Sequence, residues 1–157
     1  EKYDENTVSP EMMKEILRKH YRKHYNYNVK LYEGIEKLLD FLEENNIKGE
    51  FLLFAPVRNE TGEIFYTLFL EIKKDGRKFN WKQIENEMNS SLCKAFHYEY
   101  AYKLGQLRKV RVFLIEKDGL KTYTAEKSKK QKIGDIKYRL LDKNFGWENK
   151  FAGGFGE

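Results

Sequence analysis

The sequence predicts an α+β fold: a small, mainly antiparallel sheet of about three to four strands with helices packed on it, as a single domain over 1–157. Three observations predict it. Apolar residues recur at helical spacing in two segments before residue 46 and in another after residue 80. Two strand-like runs flank Asn59-Glu60-Thr61-Gly62, a connection short enough for an antiparallel hairpin. A further apolar run, Val110–Ile115, supplies a third strand. Helices grouped around a hairpin and one more strand bury their apolar faces most simply on one sheet.

The elements follow in order. Ser9-Pro10-Glu11 opens a helix, with Ser as cap, Pro where its missing N–H costs little, and an acid favoured by the dipole. That helix runs to about Tyr25, with Met13, Ile16, Leu17 and Tyr21 as its stripe. A second helix is predicted from Leu31 to Asn45 on the stripe Leu31, Ile35, Leu38, Leu39 and Leu42, ended by Asn45-Asn46 and Gly49. Glu50–Val57 is apolar on both faces and reads as a central strand. Glu63–Lys73 alternates and pairs with it. Asn80 and Gln83 form a capping-box pattern before a helix carrying Ile84, Met88, Leu92 and Phe96 on one face. Helix continues through the tyrosines to Leu104 and stops at Gly105. After Val110–Ile115 come a short helix or turn at Gly119–Tyr123, a solvated basic run Lys127–Lys132, and a tight turn at Gly134-Asp135. Phe145, Trp147, Phe151 and Phe155 pin the tail onto the domain.

Composition bounds the function. A 40% apolar and 15% aromatic content excludes a disordered chain despite the charge. No apolar run approaches the ~18–20 residues that span a bilayer, and no signal-like segment opens the chain. The first residue is Glu1, so a piece of a longer protein is expected. One cysteine, Cys93, permits no internal disulfide, which suits a reducing cytoplasm and makes a structural zinc site poor in ligands. The net charge of +5 permits contact with phosphates or acidic partners without requiring it.

No enzyme motif stands complete: no phosphate loop, no nucleophile elbow, no His-Glu-x-x-His. His20 and His24 share a helix face, but no third metal ligand stands at a recognisable spacing, so they read as rings flanking the apolar stripe and no metal is expected. Cys93 lies beside an apolar face with no base placed for it, and reads as an inert thiol. The tyrosines Tyr98, Tyr100 and Tyr102 could stack nucleic-acid bases or cap a core. Lys137 follows the Gly134-Asp135 turn. A turn glycine lets a ligand approach backbone, and a lysine there can act as a point charge on a phosphate or oxyanion. A plain surface lysine is the competing reading.

Several segments, in order, resemble the C-terminal domain of the auxin-responsive (Gretchen Hagen) acyl-acid amido synthetases and their bacterial relatives, within the acyl-adenylate-forming superfamily. Glu1-Lys2-Tyr3-Asp4-Glu5 is similar to the family's hinge segment, and Phe65–Ile72, ending Phe69-Leu70-Glu71, to its sheet strand. Tyr98–Tyr102, Leu104-Gly105-Gln106-Leu107 and Val110-Arg111-Val112 resemble its Tyr, Gly-x-Leu and Val run. Gly134-Asp135-Ile136-Lys137 resembles its late Gly-x-x-Lys segment. Lys103 stands where the family has Arg, and Tyr138 where proline often follows the lysine.

The resemblance implies a mobile C-terminal lid of an ATP-dependent ligase, with residues 1–8 the remnant of the interdomain hinge. A large preceding domain binds most of the ATP and Mg2+ and the carboxylic acid. The acid is activated as acyl-AMP and then transferred to an amine such as an amino acid. By matching position, Lys2 is the hinge lysine and Lys137 the mobile-domain lysine, with catalytic roles; Lys2, Lys137 and Gly134 would contact the nucleotide. The implied partners are that adenylating domain, the acid and the amine acceptor, and the piece alone is expected to be inactive and to hold no cofactor. The alternative is a small basic nucleic-acid-binding module built on the lysine run and the tyrosines; a protein-interaction domain without a ligand is a third reading.

Overall fold

In a computed structural model of the chain, residues 29–73, 76–136 and 138–157 are described. The expected helix Pro10–Tyr25 with His20 and His24, the hinge segment with Lys2, and Lys137 lie outside them. Four helices and four strands are found among the described residues: α1 Val29–Glu44, β1 Gly49–Arg58, β2 Ile64–Ile72, α2 Trp81–Leu92, α3 Phe96–Lys103, β3 Arg108–Ile115, α4 Gly119–Lys127 and β4 Gly153–Phe155. Two single turns of 3-10 helix, Ile133–Asp135 and Trp147–Asn149, complete the set.

The strand order is β1-β2-β3-β4. The hairpin β1–β2 is antiparallel, β2–β3 is parallel, and β3–β4 is antiparallel. The sheet is therefore mixed but mainly antiparallel, and α2 and α3 form the crossover that the parallel pair requires. The hairpin turn is held by Asn59, whose side-chain oxygen accepts from the backbone N–H of Thr61 (3.1 Å) and of Glu63 (2.9 Å).

Alternation along the strands sorts the core into two layers. Leu52, Phe54, Leu68, Leu70, Val110 and Val112 face α1, α2 and α3. Phe51, Leu53, Phe69 and Phe113 face the other way, onto Tyr123 of α4 and onto Trp147 and Phe151 of the tail. Both faces of β1 are thus covered, as its continuous apolar run implies, and each large side chain buried contributes about 1.5–3 kcal/mol.

Four expectations need correction. β1 is not central; it ends the sheet, and its outer edge is covered by a strap, where Phe54 donates to the Leu140 carbonyl (2.6 Å) and Asp142 donates to the Phe54 carbonyl (2.9 Å). α1 ends on Asn45, whose side chain donates to the Phe41 carbonyl (2.8 Å), and on Asn46 at φ 55°, while Gly49 already belongs to β1. The Asn80 cap forms, accepting from Gln83 N–H (3.2 Å), but the Gln83 side chain turns forward to Glu87 (3.3 Å) instead of back to the cap. Phe96 does not extend the buried face of α2: the helix stops at Leu92, and Phe96 opens α3 with 60% of its surface exposed.

The first half of β3 is closed on one side by a helix. β4 reaches only Phe113–Ile115. Upstream, Glu85 and Asn89 of α2, one turn apart and buried, accept the backbone N–H groups of Val112 (2.8 Å) and Val110 (3.2 Å). Buried N–H groups that a strand would otherwise take are satisfied by side chains. Tyr98 adds its hydroxyl to the same Asn89 oxygen (2.7 Å).

Candidate functional site

A concavity opens where β1 and β2 meet the start of α4. It is a cleft of about 820 Å3, with Glu50, Glu71 and Asp118 on its lining together with Phe51, Lys121 and Ile133. Its geometry follows from a close approach. A Cβ at Gly119 would stand 2.8 Å from Glu71 Oε1 and 2.8 Å from the Phe51 ring, so only glycine lets the α4 backbone come this near the sheet. Asp118 precedes it in the left-handed region at φ 59° and makes no cap with its side chain. Glu71 of β2 takes that place, accepting the Gly119 N–H at 2.7 Å.

The electrostatics of Glu71 are opposed. Burial raises its carboxyl above the ordinary carboxylate range; the Gly119 N–H pulls it down; the neighbouring Glu50 and Asp118 carboxylates raise it again. The net direction is upward. A carboxyl so placed can hold or accept a proton, the minimum for acid–base work. Among the described residues no group of three or more metal-ligating side chains is arranged to hold an ion.

The described residues on either side of position 137 are anchored. Ile136 packs against the second core layer. The Tyr138 ring lies against Phe51 (5.4 Å) and Tyr123 (5.5 Å). The Arg139 N–H donates to the Tyr123 hydroxyl (3.3 Å), whose own ionisation burial pushes up to about 12. Gly134 sits in the 3-10 turn with no atom within 4 Å of where a Cβ would stand, so a ligand approaching it meets open space and nothing in the chain itself requires glycine there. Of the residues expected at a site, Gly134 alone is among those described; Lys2 and Lys137 are not.

The basic run is partly absorbed by the fold. Lys127 falls in the last turn of α4 and is only partly solvated: its ammonium pairs with the buried Asp142 at 2.5 Å and lies over the rings of Tyr123 and Trp147. Lys129 pairs with Glu126 at 2.8 Å. The tyrosine cluster is likewise divided. Tyr98 is buried with its ionisation pushed upward by desolvation, Tyr102 is half-buried, and Tyr100 is exposed against Phe96. Cys93 is half-buried, and burial pushes its thiol up, as expected of an inert cysteine.

Sequence reasoning passed over Glu71, Asp118 and Gly119. The available signal was the Asp118-Gly119 dipeptide directly after a strand, a turn signal with its own conformational demand. Nothing local marks Glu71, whose partner lies 48 residues away.

No protein-family model and no curated protein matches the sequence. Solved structures do match the fold. One is the GH3.15 acyl acid amido synthetase, with a TM-score of 0.55 and 11% identity over 76% of this chain and 22% of that one. A second is the AtGH3.15 acyl acid amido synthetase in complex with 2,4-DB, with a TM-score of 0.53 and 12% identity over 72% of this chain and 21% of that one. At such identities the likeness is one of fold. The chain spans about a fifth of the length of the solved enzymes it matches, and carries the fold of that part of an acyl acid amido synthetase.

Proposed function

We propose that the chain is the small C-terminal domain of an ATP-dependent acyl-acid amido synthetase, the lid over a separate nucleotide-binding domain. The observation that supports this most is the shared fold over three quarters of the chain with solved enzymes of that name. The order of the sequence segments resembling that family agrees with it. In this reading ATP and Mg2+ are held mainly by the preceding domain, together with the carboxylic acid. Attack of the carboxylate on the α-phosphate expels pyrophosphate and leaves acyl-AMP; the step gathers negative charge, and a lysine brought in by the lid offsets it. Lys137 is assigned that role and Lys2 the hinge. The described residues around Gly134 supply an open approach and a turn anchored by Ile136 and Tyr138. An amine then displaces AMP.

The test uses the longer chain carrying this domain, assayed by exchange of pyrophosphate into ATP in the presence of carboxylic acids. Lys137→Ala is expected to lower adenylation by about 100-fold, the scale of removing one preorganised charge contact from a transition state. An unchanged rate takes Lys137 out of the mechanism. The absence of any acid-dependent exchange in the unsubstituted protein defeats the ligase reading itself. The nucleic-acid reading loses support, because two lysines of the run are engaged in ion pairs and Tyr98 is inside the core.

A further inference from the structure

We propose that Glu50, Glu71 and Asp118 form a proton-dependent latch between the sheet and the start of α4, closed while Glu50 and Glu71 share a proton and loosened when all three are ionised. An irregularity of β1 builds it. Glu50 is the extra residue of a β-bulge: Gly49 pairs with Ile72 and Phe51 with Glu71, so β1 takes two steps where β2 takes one. Glu50 thereby lines the same cleft as Glu71 and hydrogen-bonds its carboxyl. Two carboxylates offer only acceptors, so that bond needs a proton between them. The Glu71 carboxyl also accepts the Gly119 N–H at 2.7 Å, where glycine alone lets the α4 backbone come close enough. Asp118, left-handed at φ 59°, brings the third carboxyl.

These carboxyls have no counterion. Among the described residues the ion pairs of Glu63, Glu99, Glu126 and Asp142 lie elsewhere, and none reaches Glu50, Glu71 or Asp118. Lys121 lines the cleft one turn further along α4 and is joined to none of the three. Ionisation therefore works against the closed arrangement in two ways. It draws a half-buried carboxylate toward water, and it sets Glu71 against the charges of Glu50 and Asp118. The stronger hydrogen bond that an ionised Glu71 makes to Gly119 opposes both and is outweighed, since the net direction of its carboxyl is upward. A carboxyl raised by folding holds its contact fully below the ordinary range and loses it as pH rises through the raised value. The latch thus closes on the acid side of that window and loosens on the alkaline side. The movement reaches beyond the cleft. Tyr123 lies one turn beyond Gly119; its hydroxyl holds the Arg139 N–H (3.3 Å) and its ring lies against Tyr138 (5.5 Å). From there the chain continues into the strap on β1. Protonation in the cleft is coupled in this way to the anchoring of residues 138–142, whether or not the ligase reading holds.

The experiment is NMR of the chain between about pH 4 and 8, a range that brackets a raised carboxyl. It follows the Gly119 amide shift and the hydrogen exchange of the Thr122 and Tyr123 amides, each read against amides of α2. Thr122 donates to the Asp118 carbonyl at 2.9 Å, so its exchange reports release of the first turn of α4. The ratio to α2 removes the pH dependence of exchange chemistry that all amides share. The Gly119 shift should titrate with a midpoint above the ordinary carboxylate range. Protection in α4 relative to α2 should fall about threefold across that midpoint, within the tenfold that a shift of one pH unit gives. Glu71→Gln, which keeps an oxygen for Gly119, should abolish the fall. Glu50→Gln, which removes a neighbouring charge, should move the midpoint down and shrink the fall. A Gly119 shift that does not titrate, relative protection independent of pH, the full fall surviving in Glu71→Gln, or an unmoved midpoint in Glu50→Gln overturns the latch.

Discussion

Glu71 concentrates the residue-scale argument. Its carboxylate caps α4 through the Gly119 N–H, yet burial and two neighbouring carboxylates raise it above its ordinary range. A carboxyl raised in the folded state stabilises fully below its unfolded value, and that contribution is lost as pH rises through the folded value. At neutral pH the ionised Glu71 therefore costs stability. Glu71→Gln keeps an oxygen for Gly119 and removes the charge. It should be more stable than the parent at pH 7, by less than about 1 kcal/mol because solvent screens a half-exposed group. The advantage should shrink as pH falls into the carboxylate range. Urea unfolding across pH 4–8 reads this directly, and a variant less stable at pH 7, or a gap independent of pH, contradicts the account. A natural chain that retains a costly carboxylate in a cleft marks that cleft for functional study.

At the scale of elements, one ion pair ties α4 to the strap along the β1 edge. Asp142 is 6% exposed and is the group that Lys127 neutralises, while Asp142 also accepts the Asn144 N–H at 2.7 Å. Removing the cation leaves a buried charge without its counterion. Lys127→Met should cost about 3 kcal/mol, and adding Asp142→Asn should recover most of it. A loss below about 0.5 kcal/mol would show the pair to be no more than a surface contact. This pair also shows where sequence reading stops. Lys127 opens a run that looks solvated, and only the return of the chain to β1 supplies its acid. Elements with strong local periodicity, such as α1 with Leu38, Leu39 and Leu42, or the β1–β2 hairpin, were legible because spacing and turn chemistry determine them. The edge strap, the Glu85 and Asn89 contacts to β3, and the Glu71 cap were not, because each joins residues far apart in sequence. The candidate site divides the same way: a turn around Gly134 could be read from the chain, and the cleft at Gly119 could not.

At the scale of the whole molecule, the tail decides whether the sheet has two layers or one. Phe151 packs on Phe69 (5.4 Å), Phe51 (5.7 Å) and Trp147 (5.3 Å), beneath the face opposite α1–α3. Phe155 then meets Phe113 edge-on at 5.3 Å, with the Arg111 guanidinium 4.2 Å from its ring. Gly153 lies so close to β3 that a Cβ would stand 1.9 Å from the Leu114 carbonyl oxygen. Gly156 donates to the Val112 carbonyl (2.9 Å) and lies against Trp81, a member of the first core layer. A segment of seven residues thus laces the second layer to the sheet and ends on the first. Its aromatics were expected to pin the tail, and Trp147, Phe151 and Phe155 do so, whereas Phe145 stays 46% exposed with Arg58 over its ring. Removing residues 151–157 uncovers the aromatic face of β1–β3 and takes away β4. The chain ending at Lys150 should lose at least about 4 kcal/mol, since truncating one buried phenylalanine costs about 3–5 kcal/mol. It should bind a hydrophobic dye in the absence of denaturant. The substitution Phe151→Ala, which leaves the backbone of β4 intact, separates loss of aromatic packing from loss of the strand. A truncated chain with the parent's urea midpoint would mean that the tail decorates a fold already complete without it.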